Sequence, residues 1–185
     1  MKMKSLIALC ALLPALAFQA QAHNLTVDQP LPNISVSDKG ELVLQGDDIV
    51  YQPWQSKQLT GKVRVIQAIA GRSSAKALNA PMIEAIKAAN LPHDQYQTTT
   101  IINQDDAIWG TGSFVKSSAE DSKKEFSWSS IVLDANGQVR SRWALEEESS
   151  AIIVLDKTGK VVFVKDGQLS DSDIQQVMSK IQSLL

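Results

Sequence analysis

Val63-Arg64-Val65-Ile66-Gln67-Ala68-Ile69 is a nearly continuous apolar run, rich in β-branched side chains and closed by Gly71. A strand with one wet face alternates apolar and polar residues. A run of this kind belongs to a strand covered on both faces, and therefore to a sheet lying between helices. The residues that follow agree. From Ser73 to Asn90, Leu78, Met82, Ile83, Ile86 and Ala89 recur at helical spacing, with Ser73 or Ser74 placed to cap the first turn. Pro81 falls inside that stretch and predicts either a kink or a helix that restarts there.

The rest of the chain continues the alternation. Thr98-Thr99-Thr100-Ile101-Ile102 predicts a strand, Ser113 to Phe126 an amphipathic helix, and Ser130 to Asp134 another strand, with Asn136-Gly137 as a turn before Val139. Ala151 to Leu155 and Val161 to Lys165, joined by Asp156-Lys157-Thr158-Gly159-Lys160, predict an antiparallel hairpin. Ser170 caps a closing helix whose buried stripe is Ile174, Val177, Met178, Ile181, Leu184 and Leu185, with Asp171 and Asp173 against the positive end of its dipole. Upstream, His23 to Lys39 reads as an extended leader containing Pro30 and Pro32. Glu41 to Leu44 reads as a short strand after an Asp38-Lys39-Gly40 turn. This order predicts one α/β domain, a mixed sheet flanked by helices on both faces.

The amino end is of another kind. Met1-Lys2-Met3-Lys4, an apolar run from Leu6 to Phe18, and Gln19-Ala20-Gln21-Ala22 form the tripartite pattern of a secretory signal peptide. The apolar run is about 13 residues, short of the roughly 20 that a membrane span needs. Cleavage after Ala22 is expected, giving a periplasmic domain over residues 23–185 with no stable membrane insertion. The chain has one cysteine, Cys10, inside the apolar run. Bulky Leu9 before it, and the short hydrophobic stretch ahead, argue against lipid attachment. Residues 23–185 therefore contain no thiol, and a domain of that length must be held by its core alone. Without Lys2 and Lys4 the chain counts 16 basic against 20 acidic residues, a net of −4. That balance carries no positive footprint for nucleic acid.

Four local features resemble the thioredoxin-like fold in its extended, redoxin-type form. They are Gly61-Lys62 leading into the apolar run, Ala80-Pro81 inside the first helix, the hairpin with Asp156, Gly159 and Lys160 at its turn, and the closing helix. More narrowly, Gly71-Arg72-Ser73-Ser74-Ala75-Lys76, Leu91-Pro92-His93-Asp94 and Asn103-Gln104-Asp105-Asp106-Ala107-Ile108 are similar to the YtfJ family of small exported proteins of uncharacterised function. In redox-active members of the wider fold, a Cys-x-x-Cys pair precedes the helix proline. By that resemblance Ser73-Ser74-Ala75-Lys76 occupies the pair's position, and Ser150 falls where a cis-proline would face it. Disulfide exchange needs a thiolate, and a serine hydroxyl cannot replace it.

The site expectations follow from what stands in place of sulfur. Arg72, Ser73, Ser74 and Lys76 surround the amides of a helix start, a setting suited to an anion or a partner's carboxylate. Asp105 and Asp106, with Trp109 in the same loop, offer adjacent carboxylates, although hard cations ask for roughly six oxygens. Glu146-Glu147-Glu148 reads as a solvated edge. His23, as a new amino terminus, could chelate copper with His93, the chain's other histidine. Ser73 with His93 is the one pairing for nucleophilic hydrolysis, and no Gly-x-Ser-x-Gly elbow supports it. The expectation is a redox-inactive module binding a periplasmic protein, peptide or small anion at the former active-site face, with Ser150 beside it and no cofactor. A non-thiol enzyme or copper carrier built on His23 and His93, or on the Asp105–Asp106 loop, is the alternative.

Overall fold

The computed structural model describes residues 23–185. The expected signal peptide and Cys10 lie outside the described residues. In chain order the elements are β1 (Ser35–Gln45), β2 (Asp48–Gln55), β3 (Val63–Ala70), α1 (Ser73–Leu78), α2 (Ala80–Ala88), β4 (Tyr96–Asn103), α3 (Gly112–Glu125), β5 (Ser130–Asp134), α4 (Gln138–Trp143), β6 (Ser150–Leu155), β7 (Val161–Asp166) and α5 (Asp171–Leu184). The strands form one sheet in the order β2-β1-β5-β4-β3-β6-β7. Strands β3, β4 and β5 run parallel, while β6, β7, β1 and β2 add antiparallel pairs on either side.

The apolar run is β3, in the middle of the sheet and buried at all eight positions. Its alternate residues face two different cores. Val63 and Val65 pack with Met82 and Ile86 of α2, Ile152 and Val154 of β6, and Val177 and Ile181 of α5. On the reverse face, Ile66 packs with Ile101, Val132 and Ile153, and with Val139 and Trp143 of α4. The leader joins this second core through Leu25 and Leu31, and the indole Nε1 of Trp143 donates to the carbonyl of Pro32 at 3.0 Å. Beneath α3, Ala119 packs on Leu42, Ile131 and Leu133.

Several local expectations are corrected. The helix after β3 is two helices, broken at Asn79. Pro81 sits in the first turn of α2, where its missing N–H has no intrahelical partner to lose, so the chain restarts rather than kinks. Neither Ser73 nor Ser74 caps α1; Arg72 holds the cap position with no side-chain bond to the helix. Gly40 is no turn but a bulge within the longer β1, at φ +84°. A Cβ there would collide with the carbonyl of Gln52, so the close approach of β2 requires glycine. The true turn falls at Gly46, and β2, unexpected because it contains Pro53, is the edge strand where proline is tolerated. After Asn136-Gly137 comes α4, whose first amides, on Gln138 and Val139, donate to the buried carboxylate of Asp134 at 3.0 and 2.8 Å.

Candidate functional site

At the start of α1 the side chains are already occupied with one another. The Arg72 guanidinium places Nη2 2.7 Å from Asp106 Oδ1 and Nη1 2.8 Å from Glu148 Oε1, and Nε donates to the Asp106 carbonyl at 3.0 Å. The other oxygen of Asp106 accepts the Glu148 amide at 2.6 Å. Arg72 and Asp106 are only 15% and 10% exposed, and the guanidinium spreads its donors over the Asp106 carboxylate, the Asp106 carbonyl and the Glu148 carboxylate, each ion-pair contact a charge-assisted hydrogen bond. Together these contacts clasp the start of α1 to the loop after β4 and the loop before β6. An incoming anion would have to displace two carboxylates from Arg72. Glu148 is therefore part of a network rather than merely a solvated edge.

The remaining predicted residues scatter around this clasp. Ser73, Ser74 and Lys76 are exposed, and Lys76 has no carboxylate partner among the described residues. Asp105 is exposed, its own amide turned to Asn103 Oδ1 at 3.1 Å. Trp109 stands in solvent at 98% exposure. Ser150 is wholly buried, with its Oγ and carbonyl accepting Asn79 Nδ2 at 3.1 and 2.9 Å. The same Nδ2 reaches the Gly167 carbonyl, and Asn79 Oδ1 accepts the Leu169 amide at 3.0 Å. Ser150 thus belongs to an internal strap that fixes the helix break, not to an accessible surface. The two histidines are on opposite sides of the sheet. His23 precedes the leader residues that pack with α4, whereas His93 stacks on Trp128 with ring centroids 4.7 Å apart, beside α2 and α3.

The accessible opening is a cleft of about 800 Å³ between α1/α2 and α3, floored by β3, β4 and β5. Ser73 and Lys76 line one end, and His93 and Trp128 the other. Its walls are largely apolar: Ile83 and Ile86 from α2, Phe114 from α3, and Phe126 just beyond it. Three of the largest exposed hydrophobic side chains, Ile108, Phe114 and Trp128, stand around it, 47–75% exposed. The floor is mixed. Tyr96 OH and Thr98 Oγ1 share a hydrogen bond of 2.9 Å, and burial pushes the Tyr96 phenol well above its ordinary pKa, so it stays neutral at physiological pH. In the centre, Gln67 of β3 lies beside Thr100 of β4, which lies beside Ile131 of β5. Gln67 is 6% exposed, and its Nε2 has no hydrogen-bond partner among the described residues. Sequence reasoning did not select Gln67, although a polar letter inside a doubly buried strand was the available signal.

A central β-α-β with a further parallel strand, a terminal hairpin and a closing helix, with the helix start facing the beginning of β6, define the class: a thioredoxin-like protein. The chain superposes on a thiol-disulfide isomerase from Corynebacterium glutamicum with a TM-score of 0.54, covering 88% of this chain and 97% of that one at 19% identity. It superposes on a DsbF homologue from Corynebacterium diphtheriae with a TM-score of 0.56, covering 89% and 96% at 13% identity. At such identities the likeness is one of fold alone. Sequence relatives narrow the class. "Uncharacterized protein YtfJ" of Escherichia coli K12 is 53% identical over the full length of both chains. An uncharacterized protein of Haemophilus influenzae Rd is 56% identical over 88% of this chain and 89% of its own. The YtfJ family, described as a bacterial protein of unknown function, matches residues 25–184, and this chain belongs to it.

Proposed function

We propose that the protein is an exported, periplasmic binding module that uses a thioredoxin-like scaffold to hold a ligand rather than to exchange disulfides. One observation carries the reading. The position of the reactive pair holds Ser73-Ser74-Ala75-Lys76, residues 23–185 contain no sulfur nucleophile, and an open cleft begins where those side chains end. The amino-terminal pattern of Lys2, Lys4, the short apolar run and Ala20-x-Ala22 supports export. The ligand is a protein, a peptide or a small anion, met by the cleft rather than by Arg72, which is held by two carboxylates.

The test places a photocrosslinking amino acid at exposed Phe114 on the cleft wall, and separately at exposed Ser141 of α4 on the opposite face. After irradiation of intact cells, mass spectrometry is expected to find adducts from position 114 and none from position 141. Equal adducts from both positions, or none from either, overturns the reading. Osmotic release of a chain beginning at His23 is expected from the same cells. Retention in the cytoplasm with Met1 present would remove the export half of the proposal.

A further inference from the structure

We propose that the cleft between α2 and α3 is a docking groove for an amphipathic α-helix of a partner protein, its apolar face turned inward and acidic residues on the flank beside α1 and α2. This deepens the binding reading above and rests on it. The large apolar side chains that the fold leaves in water are concentrated here. Ile108, Phe114 and Trp128 line the cleft and are exposed, and Trp109, next to Ile108, is exposed as well. Scattered singly such groups would need no explanation, but gathered around one hollow they mark an interface. Phe114 stands in the first turn of α3 and Phe126 at its carboxy-terminal cap, so this wall is aromatic at both ends, about 18 Å apart at the helical rise. Between them it presents Ser118 and Ser122, short side chains over which a second helix can settle closely.

The floor selects a helix over an extended segment. β3 pairs β4 along eight positions and β4 pairs β5 along five, so the backbone groups of the floor are already satisfied. An extended peptide laid on that face would find no ladder to join, and its amides would be buried unpaired. A helix arrives with its amides bonded internally. The size agrees. A helix about 18 Å long and about 10 Å across encloses on the order of 1,400 Å³. The cleft, at about 800 Å³, takes in roughly half of such a body, the share that an amphipathic helix can bury. Charge sets the flank. Arg72 lines the cleft but is held by Asp106 and Glu148, whereas Lys76 is unpaired among the described residues and Lys87 is shared with Glu84 at 2.9 Å. Glu125 faces them from the α3 side. Acidic residues on the partner therefore suit the α1/α2 wall. A lipid surface fits less well, because it meets a protruding apolar face helped by positive charge, and residues 23–185 form a hollow here and carry a net of −4.

The probe is a capped peptide of leucine, alanine and glutamate, about fifteen residues long and so about four helical turns. Its leucines lie at helical spacing on one face and its glutamates on one flank. An isomer of the same composition places the leucines at every second position, the pattern of a strand. A third peptide carries lysine in place of every glutamate. Binding to the purified protein is read from the anisotropy of a fluorescein on the peptide, at physiological ionic strength, where only charges within about 8 Å act strongly. The helical peptide is expected to bind saturably at one site and its isomer at least about tenfold more weakly. The lysine peptide is expected to bind about threefold more weakly, the scale of an exposed ion pair. Phe114→Ala, at an exposed wall position that the core does not need, is expected to weaken the helical peptide about tenfold and leave the melting temperature unchanged. Lys76→Glu is expected to reverse the order of the glutamate and lysine peptides. The proposal is overturned if the helical peptide does not bind, if the isomer or the lysine peptide equals it, or if either substitution leaves the binding as it was. It is overturned equally if the protein pellets with vesicles of phosphatidylethanolamine and phosphatidylglycerol and Phe114→Ala releases it, which would make this face a membrane contact. Crosslinks from position 114 without peptide binding would remove the helix and leave the binding module standing.

Discussion

At the scale of single residues, the most telling groups are polar ones in the interior. Asp134 is fully buried and accepts the Gln138 and Val139 amides, so it caps α4 from the end of β5. Burial raises its pKa above the usual carboxylate range, and the two amides only partly oppose that. The folded chain therefore binds this proton more tightly than the unfolded chain. Its contribution to stability is largest below the ordinary aspartate pKa and declines as pH rises through that value to the raised one. Asp134→Ala leaves two helix-start amides unpaired and is expected to cost about 1–3 kcal/mol, read by urea denaturation at pH 7. Arg72→Ala is expected to cost a similar amount, about 1–3 kcal/mol, because Asp106 is left nearly buried without its cation. A stability unchanged in urea would show that the clasp is ornamental. None of these partnerships was legible in the sequence. Arg72 and Asp106 were each visible as candidates, but their contact spans 34 positions and cancels the free charge each seemed to offer.

The elements divide into those that announce themselves by period and those that do not. β3, β6, β7, α3 and α5 were legible because apolar spacing is a local property of the chain. β2 was hidden by Pro53, and the length of β1 by Gly40, because a proline on an edge and a glycine at a bulge look like breaks until the sheet is assembled. α4 is six residues long and buries Val139 and Trp143, too short for a helical repeat to emerge. The best-specified terminus is that of α5. Ser170 Oγ accepts the Asp173 amide at 3.2 Å, and Asp173 Oδ2 accepts the Ser170 amide at 2.8 Å. Lys165 at 2.6 Å, followed by the bonds from Ser170, holds the Asp173 carboxyl down to about 2. A depressed carboxyl lends stability above its ordinary pKa and loses it in acid, so this contribution should fade as pH drops from about 4 toward about 2. Ser170→Ala is expected to cost about 1 kcal/mol in thermal denaturation at pH 7. A smaller cost at pH 2 than at pH 7 would agree with the titration of Asp173.

For the whole molecule, the scaffold and the chemistry have parted. The thioredoxin-like layout was legible from the order of periodic segments, and the lack of a thiol in residues 23–185 from a count. The cleft was not, because Gln67, Phe114 and Trp128 belong to different segments and meet only when α2 and α3 stand apart above parallel strands. The purified protein is expected to accelerate dithiothreitol reduction of insulin no faster than buffer. A rate above background would require a sulfur nucleophile that residues 23–185 do not contain.

The leader has a practical consequence. Asn24 donates its amide to Trp143 at 3.1 Å, and Leu25 is sealed in the core beneath α4, on the side of the sheet away from Gln67. A bead, sensor surface or fluorescent label joined at the amino end would leave the mouth pointing outward and unobstructed. Coupling through surface amines would load Lys76 and Lys87 at the rim and stop it up.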